Sequence, residues 1–271
     1  MNIKDKEKYD INDLIEIVKC LRAPDGCPWD KVQTHQSIRK DFIEEVYEAV
    51  EAIDENDTEH LREELGDVLF QVVFHSVIES EQKHFDFSDI TDEVSKKMII
   101  RHPHVFGDVN AETTDQVWSN WDKIKMQTHA QSTVTETMES VSKTLPSLMR
   151  AEKLVKKSAR GGVEYSNMDD IFNEIEERLS VLKKVCAEKD TDRYESVLGE
   201  FLFSAAALSG LMKTDSEQSL YNACDRYIDR FRKYENTATD MGLNIQDSDT
   251  CITNQLWKDI SKKRKIGGKL K

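Results

Sequence analysis

Apolar residues recur at helical spacing along almost the whole chain. Ile11, Leu14, Ile15, Val18 and Leu21 fall on one face of a first helix, expected over 11–22. A turn-rich segment, Ala23-Pro24-Asp25-Gly26-Cys27-Pro28-Trp29-Asp30, follows it. Further helices are expected over about 34–54, 59–82 and 88–100. Glu55-Asn56-Asp57-Thr58 is the short connection inside this group, with Asp57 or Thr58 as N-cap. The polar stretch THAQSTVTET, 128–137, lacks aromatics and reads as an interdomain linker. Beyond it, helices are expected over about 145–157, 169–187, 191–212 and 216–234, with a break at Gly161-Gly162. The final KKRKIGGKLK reads as a basic, disordered tail. Nothing alternates as a strand does, so the fold class is all-α.

The two halves of the chain repeat one another. ELGDVLFQVVFHSVI at 64–78 and VLGEFLFSAAALSGL at 197–211 share five of fifteen positions, and the helices around each come in the same order. Arg101 falls opposite Arg230. The expected architecture is a tandem repeat of a four-helix unit, with a first domain at 1–127, a linker at 128–144, a second domain at 145–260 and the tail at 261–271.

Charge narrows the classes of function. The 271 residues carry 38 Lys+Arg against 52 Asp+Glu, a formal net charge of −14. Affinity for nucleic acid or for an anionic membrane surface comes largely from the opposite balance, so neither partner is expected. The start, MNIKDKEKYD, has no apolar core of a secretory signal. The longest near-apolar run, Phe201 to Met212, has 12 residues, too few to span a bilayer. Five widely spaced cysteines form no C-x-x-C and are expected as thiols in a reducing cytoplasm.

The acidity is concentrated. Residues 41–67 hold twelve Asp/Glu and one basic residue, Arg62, so 27 residues carry −11 of the total. Within them Glu45 and Glu48 stand at i,i+3 on one helix, with Glu44 beside them, and Glu64 and Asp67 repeat the spacing on the next. A short connection packs two such helices antiparallel. Measured against the apolar stripes (Phe42, Ile43, Val46, Ala49, Val50 and Ile53; then Leu61, Leu65, Val68, Leu69 and Val72), the carboxylates are expected on the flank of a core. Gly66 is expected to permit close helix approach. Four convergent carboxylates cannot all stay ionised and unpaired in a partly buried place. Either they form a solvated acidic face or they hold divalent cations, and an all-oxygen set suits Mg²⁺ or Mn²⁺. Such a site points to metal-assisted hydrolysis of a phosphoanhydride.

Four segments in order carry a family likeness: GCPWDKVQT at 26–34, EEVYEAVEAI at 44–53, ELGDVLFQVVF at 64–74 and RHPHVFGD at 101–108. Together they resemble the MazG nucleoside triphosphate pyrophosphohydrolases, of the all-α NTP pyrophosphohydrolase superfamily. PSLMRAEKLVKK at 146–157 and the tandem layout extend the likeness over most of the chain. The resemblance implies hydrolysis of an NTP to NMP and pyrophosphate, with a nucleotide-pool house-cleaning role and a homodimer. It implies Mg²⁺ ligation by Glu45, Glu48, Glu64 and Asp67, with Glu44 as a further ligand or the residue orienting the attacking water. It implies phosphate contacts by Lys97 and Arg101, and approach of Lys31 and Trp29 to base or sugar, unless Trp29 is a packing aromatic.

The second copy departs from the pattern. It has Asn173-Glu174-x-x-Glu177 and Val197-x-x-Glu200, so Glu174, Glu177 and Glu200 are remnants of a motif from which one ligand is lost. The first copy is therefore expected to be the active one, although in two-domain members of the family the second can be. The alternative is a non-catalytic helical regulatory or interaction module of the same fold. A di-iron oxidoreductase would need E-x-x-H on two helices, and only Glu81–His84 fits. His75, His102 and His104 are expected in structural roles, and Trp118 and Trp121 in a core, with Lys123 and Lys125 near the site.

Overall fold

The structure is a computed structural model that describes residues 6–110, 113, 114, 116, 117, 124, 133–246 and 248–267. It divides into two compact units, Met1–Thr128 and His129–Lys271. Among the described residues there are helices and no strands. Trp118, Trp121, Lys123 and Lys125 lie outside the described residues.

In the first unit α1 spans Ile11–Arg22, α2 Arg39–Glu55, α3 Thr58–Glu81, α4 Phe87–Arg101 and α5 Pro103–Phe106. Asp10 caps α1 by accepting from the backbone N–H groups of Asn12 and Asp13, while Asp13 returns a bond to the Asp10 N–H. The expected start of α2 at Thr34 falls five residues early. Thr34 and Ser37 exchange side-chain and backbone hydrogen bonds (2.9 and 3.3 Å) that compete with the helical ladder. His102-Pro103-His104 is not the expected extended turn. Pro103 opens the short helix α5, where a missing N–H costs nothing, and His102 Nδ1 donates to the Met98 carbonyl at 2.6 Å.

The hydrophobic core of this unit is local. Val18, Ile38, Val73, Phe74, Val77 and Ile78 are buried together, with Leu14, Ile15, Phe70 and Phe87 packed around them. They bind α1 to the C-terminal half of α3. Arg22 ties the turn-rich loop to this core. It donates twice to Glu81 (2.7 and 2.8 Å), donates to the Asp30 and Gln33 carbonyls (2.7 and 3.1 Å), and covers the Phe74 ring. Within that loop Gly26 is obligatory: a Cβ there would sit 2.3 Å from the Cys20 carbonyl oxygen. The N-terminal half of α3 is left for α2.

The second unit holds α6 (Val134–Glu139), α7 (Ser147–Ser158), α8 (Met168–Glu188), α9 (Thr191–Met212), α10 (Ser216–Asp240) and α11 (Thr250–Gly267). Two expectations are corrected here. The supposed linker is folded from residue 133 onward, because Thr137 and Val141 are buried against the unit and Thr133 caps α6. The supposed tail is helical in its backbone as far as Gly267, since no Pro or Gly interrupts the helix before that point. The helix α9 is long and apolar enough by composition to cross a membrane, yet its buried Ser204, Ala206 and Ala207 pack inside the unit.

The pairs α2–α3 and α8–α9 are built alike. Each first helix ends on a residue in the left-handed region (Asn56, φ 58°; Lys189, φ 55°), and each second helix begins on an aspartate cap (Asp57; Asp190). The chain is a tandem helical repeat, as the sequence implied.

Candidate metal centre

Two residues, Asn56 and Asp57, join α2 to α3, and a connection that short makes the helices antiparallel neighbours. Asp57 accepts from the N–H groups of Glu59 and His60 at 3.1 and 3.0 Å, fixing where α3 begins. The helices meet through Ala49 and Ala52, which are 7% and 0% exposed. The face turned to α3 thus follows Glu45, Glu48, Ala49 and Ala52, at i, i+3, i+4 and i+7.

This reverses the expected orientation of α2. Its larger apolar residues, Ile43, Val46, Val50 and Ile53, are each more than 40% exposed, as is Leu65 on α3. Glu64 is buried in the helix pair with Glu45 half-buried beside it, Asp67 is exposed, and the apolar stripe faces outward. Gly66 does not serve close approach either, since a Cβ there would meet nothing within 4 Å. The alanines do that work.

Glu45, Glu48 and Glu64 each bring a carboxylate oxygen within 4.8 Å of the others. Glu64 is buried. One of its oxygens lies 3.0 Å from His60 Nε2, and the other, Oε2, is buried with no partner. Desolvation raises the Glu64 pKa, Glu48 adds to the rise, and His60 opposes it. Desolvation likewise raises Glu45, with Asp67 the largest of the neighbouring charges and Glu48, Glu64 and Glu44 adding to it. Asp67 is exposed one turn beyond Glu64 and acts on both. Gln71, one further turn along, is buried with its Oε1 unpartnered. These oxygens fit a hard divalent cation: they are crowded, and Glu45 and Glu64 are held above the ordinary carboxylate range by burial and by their neighbours' charge.

The remaining candidates are placed as follows. Glu44 is exposed, 3.7 Å from Lys40. Arg101 is buried in the last turn of α4, and Lys97 is exposed one turn earlier. Lys31 donates to the Pro24 carbonyl at 3.1 Å, within its own loop. Trp29 is 57% exposed, which removes it from the core of this unit. In the second unit Glu174 and Glu200 are engaged with protein donors and Glu177 is exposed. Sequence reasoning missed His60, although its position four residues before Glu64 was a readable signal. It also missed His35, whose Nδ1 meets His75 Nδ1 at 2.7 Å and whose Nε2 donates to Glu79 at 2.6 Å.

The pattern of the MazG nucleotide pyrophosphohydrolase domain matches residues 33–106, a span that includes all four carboxylates of α2 and α3. The nucleoside triphosphate pyrophosphohydrolase of Escherichia coli strain K12 is 35% identical over 257 residues, covering 93% of this chain and 97% of that protein. The chain belongs to the MazG family. A Thermotoga maritima protein named nucleoside triphosphate pyrophosphohydrolase/pyrophosphatase MazG is 34% identical over 246 residues, covering 91% of this chain and 93% of its own length. Both MazG relatives therefore align with both units, and this chain is an enzyme of the nucleoside triphosphate pyrophosphohydrolase class.

Proposed function

We propose that the first unit hydrolyses nucleoside triphosphates to a nucleoside monophosphate and pyrophosphate, with Mg²⁺ or Mn²⁺ held by Glu45, Glu48, Glu64 and Asp67. The observation that carries this reading is the convergence of three carboxylates within 4.8 Å, one of them Glu64, which has a buried, unpartnered oxygen. A divalent ion bound there would offset the triphosphate's charge and polarise the phosphoryl group. The carboxylates hold the ion and, being anionic, repel a metal-free nucleotide. Glu44, at the exposed edge of the cluster, orients the attacking water. Arg101 and Lys97 receive phosphate oxygens. The open ring of Trp29 takes the base or sugar, and Lys31 joins it by releasing the Pro24 carbonyl.

Three wider properties belong to the same reading. The outward stripe of α2 and α3 supports a homodimer. The cysteines among the described residues are free, which supports a reducing cytoplasm. Nucleotide-pool house-cleaning follows if the substrates are NTPs that must not persist. The deciding assay is metal-stripped protein with a panel of NTPs. Pyrophosphate and NMP should appear only on addition of Mg²⁺ or Mn²⁺, and release of inorganic phosphate alone would defeat the reading.

A further inference from the structure

The second unit repeats the helix pair but answers its carboxylates differently. By the sequence repeat, Glu174 stands for Glu45, Glu177 for Glu48, Val197 for Glu64 and Glu200 for Asp67. Two further exchanges lie one helical turn beyond each pair. Ala49, four residues after Glu45, corresponds to Arg178, and Gln71, four after Asp67, corresponds to Ser204.

Each exchange installs a donor. Arg178 Nη1 donates to Glu200 Oε2 at 2.7 Å. Ser204, 1% exposed, donates its hydroxyl to Glu174 Oε1 at 2.7 Å. Tyr165, from the segment ahead of α8, donates to Glu174 Oε2 at 3.0 Å. Both oxygens of Glu174 are therefore occupied. The Tyr165 hydroxyl is pushed up to about 12 by burial and by its bond to Glu174, with Arg178 opposing, so it remains a donor throughout the neutral range. Arg178 thus joins Glu200 across the two helices at a half-exposed position, with its own Nε unpartnered, while Tyr165 and Ser204 satisfy Glu174 beside it.

In the first unit the matching positions are an alanine with no charge and a glutamine whose buried Oε1 has no partner, beside an unpartnered Glu64 oxygen. That unit needs a charge from outside. The second carries its own. Val197 also removes the carboxylate that in the first unit carries a buried oxygen without a partner.

We propose that Arg178 takes the place of the divalent cation in the second unit, locking α8 to α9 as a metal-independent structural element that does not turn over substrate. A guanidinium satisfies carboxylates through fixed N–H donors and leaves no coordination position for a phosphate. The comparison with the first unit rests on the metal reading given above; the geometry around Arg178 stands on its own.

The test uses the full-length, metal-stripped chain titrated with Mn²⁺, reading free ion by its magnetic resonance signal and stability by thermal melting. Glu48→Gln with Glu64→Gln should abolish saturable binding, while Glu174→Gln alone should leave stoichiometry and affinity unchanged. In the Glu48→Gln/Glu64→Gln background, melting should be insensitive to Mn²⁺. Adding Arg178→Ala should make it rise with Mn²⁺, because Glu200 then loses its cation while Glu174 and Glu177 keep their charge close by. Arg178→Gln, which keeps the length and loses the charge, should behave alike if the alanine variant does not fold. Saturable Mn²⁺ binding that survives Glu48→Gln/Glu64→Gln and disappears with Glu174→Gln would overturn the proposal. So would Arg178 variants whose melting ignores Mn²⁺. An unaltered chain that binds no Mn²⁺ would instead refute the metal reading of the first unit, and the Arg178 variants would still decide this one.

Discussion

A buried carboxylate oxygen with no partner is costly, and Glu64 carries one at the point where Glu45 and Glu48 converge. Glu64→Gln keeps the shape and removes the charge, so it should leave the helical circular dichroism intact and lower kcat/KM. Losing several kcal/mol of ion-mediated stabilisation corresponds to roughly a 10³-fold drop, measured as pyrophosphate release at saturating Mg²⁺. His75 yields a separate prediction. Burial lowers its pKa below the ordinary 6.5, and His35 adds to the effect. Because the unfolded chain binds the proton more readily, stability should fall as pH drops below 6.5 toward the lowered folded value. His75→Phe should flatten that limb of a plot of Tm against pH, and an unchanged slope would refute the assignment. The two cases also mark what a sequence can reveal. Glu45–Glu48 and Glu64–Asp67 are local spacings, readable because a helix fixes which side chains share a face. His35 and His75 are 40 residues apart and meet only because the loop anchored by Arg22 folds back on α3.

At the level of elements, the site depends on how closely α2 approaches α3. That approach is set by Ala49 and Ala52 and by the cap at Asp57. Ala52→Leu should cost about 1–3 kcal/mol through overpacking and should weaken Mn²⁺ affinity by spreading the carboxylates. Asp57→Ala should cost about 1 kcal/mol through the lost cap while leaving the pair in register. Urea unfolding together with Mn²⁺ titration separates the two, because only the first should move both readings. Existence and order of the helices were legible, since a 3.6-residue period survives in any packing. The facing of α2 was not. Periodicity reports that Ile43, Val46, Val50 and Ile53 share a side, but says nothing of what that side meets. A small-residue face carrying Glu45 and Glu48 took the place beside α3 that the larger residues were expected to fill. The terminal helix was misread for a related reason: a run of Lys and Arg reads as solvated tail, yet both are good helix formers when α11 is already propagating.

For the whole molecule, the tandem repeat was legible because both copies kept the Leu-Gly-acid core of the α3 and α9 motif. The outward stripe has consequences at this scale. Ile43, Val46, Val50, Ile53, Leu65 and Leu69 are between 40% and 55% exposed, and all lie on α2 or the N-terminal half of α3. Fully burying an aliphatic side chain of this size contributes about 1.5–3 kcal/mol, so covering six half-exposed ones is a substantial driving force for self-association. The stripe is carried by the same two helices as the carboxylates, so a partner that covers it would also stiffen the backbone that sets their spacing. Val46→Glu with Ile53→Glu should therefore shift the sedimentation coefficient from dimer to monomer. The same change should lower Mn²⁺ affinity, although neither residue is a ligand. A monomeric unaltered chain would remove the dimer reading. A monomeric variant with unchanged Mn²⁺ affinity would show that the α2–α3 pair holds its carboxylates in place without a partner.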